Sequence, residues 1–137
     1  MTTDPDLLFV YGTLRPPFTN GFAHYLRQHS QYVGEGTFPG QLLNLGHYPG
    51  ALHEPESNAT VYGSIYNISA HKQLLLSYLD RYEGIGDSFE QPHEYVRSVI
   101  KVNEGNSVIS CWVYLYNLPV KDQQVILSGD YAAFSNR

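Results

Sequence analysis

Residues 94 to 116 constrain the fold more tightly than any other part of the chain. Over 94 to 102, Tyr95, Arg97, Val99 and Lys101 alternate with Val96, Ser98, Ile100 and Val102, and a period of two puts the two sets on opposite faces of a half-buried strand. Asn103-Glu104-Gly105-Asn106 supplies a turn and 107 to 116 alternates again, so the two segments are expected to form an antiparallel hairpin. One face of the return strand, Ile109, Cys111, Val113 and Leu115, is aliphatic and suits a core. The other, Val108, Ser110, Trp112, Tyr114 and Tyr116, mixes aromatic and polar groups as a cavity wall would.

The rest of the chain supplies partners for that hairpin. An apolar run over about 7 to 12 ends at Gly12 and reads as a buried strand closing in a turn that only a residue without a side chain makes tightly. Pro16-Pro17 stops any regular element. Phe22, Tyr25, Leu26 and His29 give 20 to 29 the spacing of a short amphipathic helix, with Asn20 as its cap. Residues 31 to 54 are rich in glycine and proline and read as short irregular strands joined by loops. Val61 to Ile68 alternates as a strand, after which Ser69 stands where an N-cap should. The clearest helix follows, with Leu75, Leu79 and Tyr82 on one face and Gly84 as a left-handed stop. Several strands with two main helices indicate an α+β fold, a small mixed β-barrel or strongly curved sheet with the helices packed against it.

Composition narrows what such a fold is for. The 137 residues read as a single domain, 1–137, large enough to fold without metal or disulfide. The formal charge of −5 comes without any basic run, so nucleic acid and anionic membrane are not expected partners. No apolar stretch approaches the roughly 20 residues of a membrane helix. Asp4 and Asp6 make the start too acidic for a signal peptide, and the cytoplasm is the default expectation. The six histidines show no metal-ligand spacing, and the single cysteine, Cys111, falls on the aliphatic face. No serine sits in a nucleophile elbow and no glycine run forms a phosphate loop. Neither a metal, a cofactor nor a protein nucleophile is expected.

Two short stretches remain as candidate chemistry. Tyr11-Gly12-Thr13-Leu14-Arg15 follows the first strand, where successive backbone N–H groups can converge into an anion-binding hollow. Leu79-Asp80-Arg81-Tyr82-Glu83-Gly84 ends the second helix and places carboxylates at the negative end of the macrodipole, which disfavours their charge. For Glu83 this position, beside Tyr82 and before a glycine-containing loop, raises the pKa towards the range of a general base. A solvated surface glutamate relieved by Arg81 is the competing reading. Arg15, ahead of Pro16, can fix the loop, hold a carboxylate or lie on the surface. Tyr95 and Arg97 share a strand face, as substrate contacts or as a packed ring beside a solvated charge.

The ordered set Tyr11-Gly12-Thr13-Leu14-Arg15, Leu79-Asp80-x-Tyr82-Glu83-Gly84 and Tyr95-x-Arg97 resembles the γ-glutamylcyclotransferase-like, or AIG2-like, family. Ser128-Gly129-Asp130-Tyr131 resembles the Ser-Gly-Asp-Trp ending of bacterial members, with tyrosine in place of tryptophan, so the likeness runs from about 7 to 131. The resemblance implies a small β-barrel with packed helices and a small-molecule γ-glutamyl substrate that closes on itself to 5-oxoproline, expelling an amine or amino acid. It puts the family's glutamate base on Glu83, its substrate loop on Tyr11, Gly12, Thr13 and Leu14, and a late-strand tyrosine on Tyr114. Arg15 and Tyr95 complete the expected substrate contacts. The donor to the developing oxyanion is either the loop amides or the Tyr114 hydroxyl. A binding module without catalysis and a hydrolase using Glu83 to activate water are the alternatives.

Overall fold

The apolar run of the first strand is continuous because both of its faces are buried. In the computed structural model, which describes residues 4–16 and 18–135, β1 spans Leu7–Val10. Leu8 and Val10 belong to one apolar cluster, Phe9 and Tyr11 to another. Pro17, half of the expected Pro16-Pro17 break, lies outside the described residues. After it come α1 (Gly21–Gln28), β2 (Gln31–Asn44), β3 (Pro49–His53) and β4 (Thr60–Asn67), then α2 (Lys72–Tyr82). β5 (Tyr95–Glu104), β6 (Ser107–Tyr116), a two-residue β7 (Gln124–Val125) and a short α3 (Tyr131–Ser135) complete the chain.

The strands run in the order β3-β2-β4-β1-β6-β5, and a further pairing of Thr37 with Asn103 joins β2 to β5. That contact closes β2, β4, β1, β6 and β5 into a small barrel. The sheet is mixed, because β1 lies parallel to β6 at Leu8 and Trp112 while its pairing with β4 is antiparallel. The β5–β6 hairpin has the expected register, with Glu104 opposite Ser107 and Gly105 left-handed in the turn. Phe38, Val61, Ile65, Val102, Cys111 and Val113 fill the barrel. Leu26, Leu75, Leu79, Tyr66 and Ile68 pack in the layer between the barrel wall and the two helices. Each such fully buried side chain contributes about 1.5 to 3 kcal/mol. Among the described residues no helix is long and apolar enough to cross a membrane.

Two expectations are corrected. Residues 31 to 44 form one continuous 14-residue strand in place of short irregular pieces, with a bulge between Tyr32 and Gly34. Its glycines mark close approaches rather than breaks. A Cβ on Gly40 would stand 1.9 Å from the Leu52 carbonyl oxygen, so only glycine lets β2 pass so near β3. Ser69 opens a 3₁₀ turn, Ser69–His71, and α2 has no side-chain cap. The capping action comes from Asn67, whose carboxamide oxygen accepts the Ser69 N–H at 2.9 Å. At the start of α1 the expectation holds, with Asn20 Oδ1 accepting from the Ala23 N–H at 2.9 Å.

Candidate active site

The loop after β1 is pinned at several points, and the pins explain its residues. Tyr11 is buried, and its hydroxyl donates to the Tyr114 carbonyl while accepting the Ala51 N–H at 3.2 Å. The Asn20 amide that begins α1 also donates to the Thr13 carbonyl at 2.7 Å, so a single side chain caps the helix and fixes the loop. Thr13 Oγ1 lies 3.1 Å from the Tyr82 hydroxyl, tying the loop to the end of α2. Gly12 is required for a reason other than its turn. Its φ is not positive, but an added Cβ would press on Pro49 at 3.0 Å. With Arg15 N–H bonded to the Gly12 carbonyl, the N–H groups of Gly12, Thr13 and Leu14 have no acceptor among the described residues. Unpaired amides in a pinned loop form a ready concavity for anions.

The other wall is the end of α2. Gly84 is left-handed, its N–H bonds to the Arg81 carbonyl and the Ile85 N–H to the Asp80 carbonyl, a Schellman termination that places Glu83 at the C-cap, just past the last helical residue Tyr82. Glu83 is partly buried, and no hydrogen-bond donor or cation partners its carboxyl among the described residues. Burial, reinforced by the charges of Glu94 and Asp80, pushes its pKa up to about 8. Asp80, by contrast, has partners: its Oδ1 pairs with Arg97 Nε at 3.0 Å and accepts the Tyr114 hydroxyl at 2.6 Å. Arg97 in turn lies 4.6 Å over the Trp112 ring. The sequence alternative of a solvated charge beside a packed ring therefore holds only for the ring.

These walls enclose a cavity of about 490 Å³, within the usual range for a small-molecule site. Tyr11, Gly12, Thr13, Leu14, Glu83, Tyr95 and Tyr114, distant in sequence, all line it. Arg15 does not. Its guanidinium is buried at the side of the barrel, 2.7 Å from Glu35 and 2.8 Å from Asp130, with Ser64 Oγ at 3.4 Å. Tyr131 also lies outside the lining, stacked on Phe18 with its hydroxyl on the His47 carbonyl at 3.3 Å. Burial raises the phenol pKa values of Tyr11, Tyr95 and Tyr114. Their protons are already committed, that of Tyr95 to the Pro49 carbonyl at 2.6 Å and that of Tyr114 to Asp80.

Several lining residues were not singled out in the sequence. Tyr48 comes from the β2–β3 connection, Pro49 from the start of β3, and Phe89, Glu90, Pro92 and Glu94 from the segment before β5. Tyr48 donates to Glu94, with the two carboxylate oxygens at 2.9 and 3.0 Å. The only sequence signal was their position in the loops that border the two motifs, because loop residues carry no periodicity to aim them. No group of three or more metal-ligating side chains occurs among the described residues.

The chain is similar to known proteins over most of its length. A family model described as gamma-glutamyl cyclotransferase, AIG2-like, matches residues 8–133. The gamma-glutamylcyclotransferase family protein YtfP of Escherichia coli K12 is 35% identical over 125 residues, covering 90% of this chain and 94% of that protein. Its solution structure superposes with a TM-score of 0.64 at 32% identity, over 94% of this chain and 98% of that one. The crystal structure of YkqA from Bacillus subtilis gives a TM-score of 0.70 at 25% identity, over 95% of this chain but 40% of that longer one. An AIG2-like protein from Mus musculus matches with a TM-score of 0.62 at 25% identity, over 87% of each chain. The chain belongs to the gamma-glutamyl cyclotransferase, AIG2-like family.

Proposed function

We propose that this protein cyclises a γ-glutamyl amine or γ-glutamyl amino acid to 5-oxoproline and releases the amine, with Glu83 as general base and then general acid. The observation that carries the reading is one cavity lined both by Glu83, whose carboxyl has a raised pKa and no partner among the described residues, and by Gly12, Thr13 and Leu14, whose N–H groups have no acceptor among them. The names of the relatives, gamma-glutamylcyclotransferase family proteins, support the same chemistry.

The substrate carries its own nucleophile, which suits a site without one. Its α-carboxylate docks on the amides of Gly12, Thr13 and Leu14, folding the chain so that the α-nitrogen meets the γ-carbonyl. Such enforced proximity is worth several kcal/mol, up to about 7 to 11 in the best intramolecular cases. The α-ammonium must lose a proton before it attacks, and Glu83 takes it. The C–N bond of the lactam forms, the γ-amide C–N bond breaks, and Glu83 returns the proton to the departing nitrogen. Over the whole turnover the α-nitrogen gives up two protons and the amine leaves as an ammonium. A carboxyl that titrates near 8 suits both halves of this exchange. The loop amides also supply the oxyanion donors, because the Tyr114 hydroxyl already donates to Asp80. Arg15 acts as a positioning residue, holding the far end of the loop from the side of the barrel.

Incubation of the purified protein with a panel of γ-glutamyl compounds, followed by mass spectrometry, is expected to yield 5-oxoproline. Glutamate as the product would indicate hydrolysis and overturn the proposal. Saturable binding with no product over hours would reduce the protein to a binding module.

A further inference from the structure

The cavity has a charge that the γ-glutamyl group alone does not satisfy. Glu83, Glu90 and Glu94 line it, and no lysine, arginine or histidine does so among the described residues. In the cyclisation reading, on which this inference rests, the substrate's ammonium meets Glu83 and its carboxylate meets the loop amides. Glu94 is then left over. It is not a loose surface acid, because the Tyr48 hydroxyl, itself on the cavity wall, holds it at 2.9 and 3.0 Å. A phenol has one hydrogen to give, so most of that carboxylate's acceptor capacity is unfilled. Glu94 shares the lining of this cavity with Glu83.

The portion of substrate beyond the scissile amide must pass these groups. A leaving group with its own carboxylate would meet Glu94 and Glu90 as like charges with no cation in the wall to screen them. A neutral chain would leave Glu94 to Tyr48 alone. A second ammonium would complete it with a charge-assisted hydrogen bond. We propose that Glu94, oriented by Tyr48, selects γ-glutamyl amines whose leaving group carries a further positive charge and no carboxylate, as a γ-glutamyl diamine does. Glu94 takes no proton in the reaction; the bonds made and broken are those of the cyclisation.

The test compares three substrates of similar length, the mono-γ-glutamyl derivatives of diaminobutane, pentylamine and aminobutyric acid, by 5-oxoproline release. The cationic compound is expected to exceed the neutral one in kcat/KM by roughly ten- to a hundredfold, chiefly through KM, as for a hydrogen bond to a charged group, with the anionic compound poorest. E94Q is expected to shrink the cationic-to-neutral ratio to about threefold or less, and Y48F to shrink it part of the way. E94Q also lowers the pH at which the acid limb of kcat/KM falls, because Glu83 loses a repulsive neighbour. Asp80, Glu90 and the phenols of Tyr11, Tyr48, Tyr82, Tyr95 and Tyr114, the other titratable groups around Glu83, remain in place. A purely structural role for Glu94 would move neither the ratio nor the pH limb. Equal turnover of the cationic and neutral compounds, preference for the anionic one, or an unchanged ratio in E94Q overturns the inference alone. Absence of 5-oxoproline from every compound overturns the cyclisation reading and this inference with it.

Discussion

Two acid-bearing regions of this small barrel are built on opposite plans. At the side of the barrel the buried guanidinium of Arg15 faces Glu35 and Asp130, with Ser64 and Tyr32 donating to Glu35 as well. Burial opposes ionisation of Glu35, but the donors from Tyr32, Ser64 and Arg15 outweigh it and hold that carboxyl below its usual value. In the cavity Glu83 has burial without donors, and its pKa moves the other way, to about 8. The contrast separates an acid held charged by its partners from one left without any. A carboxylate that must stay charged to hold the fold is given every partner, whereas one that must exchange a proton is left without any.

The sharpest way to break the comparison is E83Q, which keeps the size of the side chain and removes its proton chemistry. Turnover is expected to fall by about 10²- to 10⁴-fold with the fold retained, measured as 5-oxoproline release beside a circular dichroism spectrum. Wild-type levels of product would end the role assigned to Glu83. In the wild type kcat/KM is expected to rise with pH through about 8, as the free carboxyl becomes a base.

Removing the cation from the other region, by R15M, leaves Glu35 and Asp130 without the guanidinium they share. Loss of one partner of a buried pair costs about 3 to 5 kcal/mol. Glu35 and Asp130 have side chains 51% and 34% exposed, so about 2 to 3 kcal/mol is expected, seen as a lower denaturant midpoint. The loss should be in stability, without a shift in the pH limb of the enzyme that remains folded.

E83Q should also stabilise the protein in a pH-dependent way. The folded carboxyl holds its proton up to about pH 8 and the unfolded one only to about 4.5, so the folded state binds more protons in between and wild-type stability falls as pH rises through that window. Glutamine escapes this loss. E83Q is expected to match the wild type near pH 4 and exceed it by about 1 to 3 kcal/mol at pH 9, one pKa unit being about 1.4 kcal/mol. Stability differences that fail to widen in chemical denaturation between those pH values would contradict the unpartnered burial of this side chain.

The smallest effect belongs to Glu35. Its folded pKa is depressed, so its contribution is present above the unfolded value and is lost as pH falls through the folded one. E35Q should therefore be less stable than the wild type at neutral pH by about 1 kcal/mol, discounted for exposure, and the difference should vanish in acid. A difference that persisted at low pH would mean that packing, rather than charge, is what Glu35 contributes.

How much of this was legible in the sequence varied with the kind of signal. The alternation of 94 to 116 gave the hairpin and its core face, because side-chain parity in a strand is fixed by covalent geometry. Asn20, Gly84 and the apolar face of α2 were equally readable, since capping and the left-handed stop are local. The glycine-rich run before β3 misled. Glycine signals a turn when judged locally, but at Gly40 it answers to the Leu52 carbonyl of a neighbouring strand. The role of Arg15 was left open for the same reason, because Glu35 and Asp130 stand 20 and 115 residues away.

For the site, the motifs around Gly12 and Glu83 named two segments that line one cavity, and the helix end alone implied a carboxyl of raised pKa. Tyr48 and Glu94 could not be found that way, because a loop side chain takes its direction from what the loop packs on. By itself, then, the sequence determined most of the elements, their buried faces and the two segments that line the cavity, all of which follow from local backbone and side-chain geometry. Only the tertiary structure decided that the acid of one segment would share a cavity with the bare amides of the other, and that Arg15 would be shut out of it. Those outcomes depend on barrel closure and on long-range contacts, where desolvation and charge pairing are set by residues that no local pattern brings together.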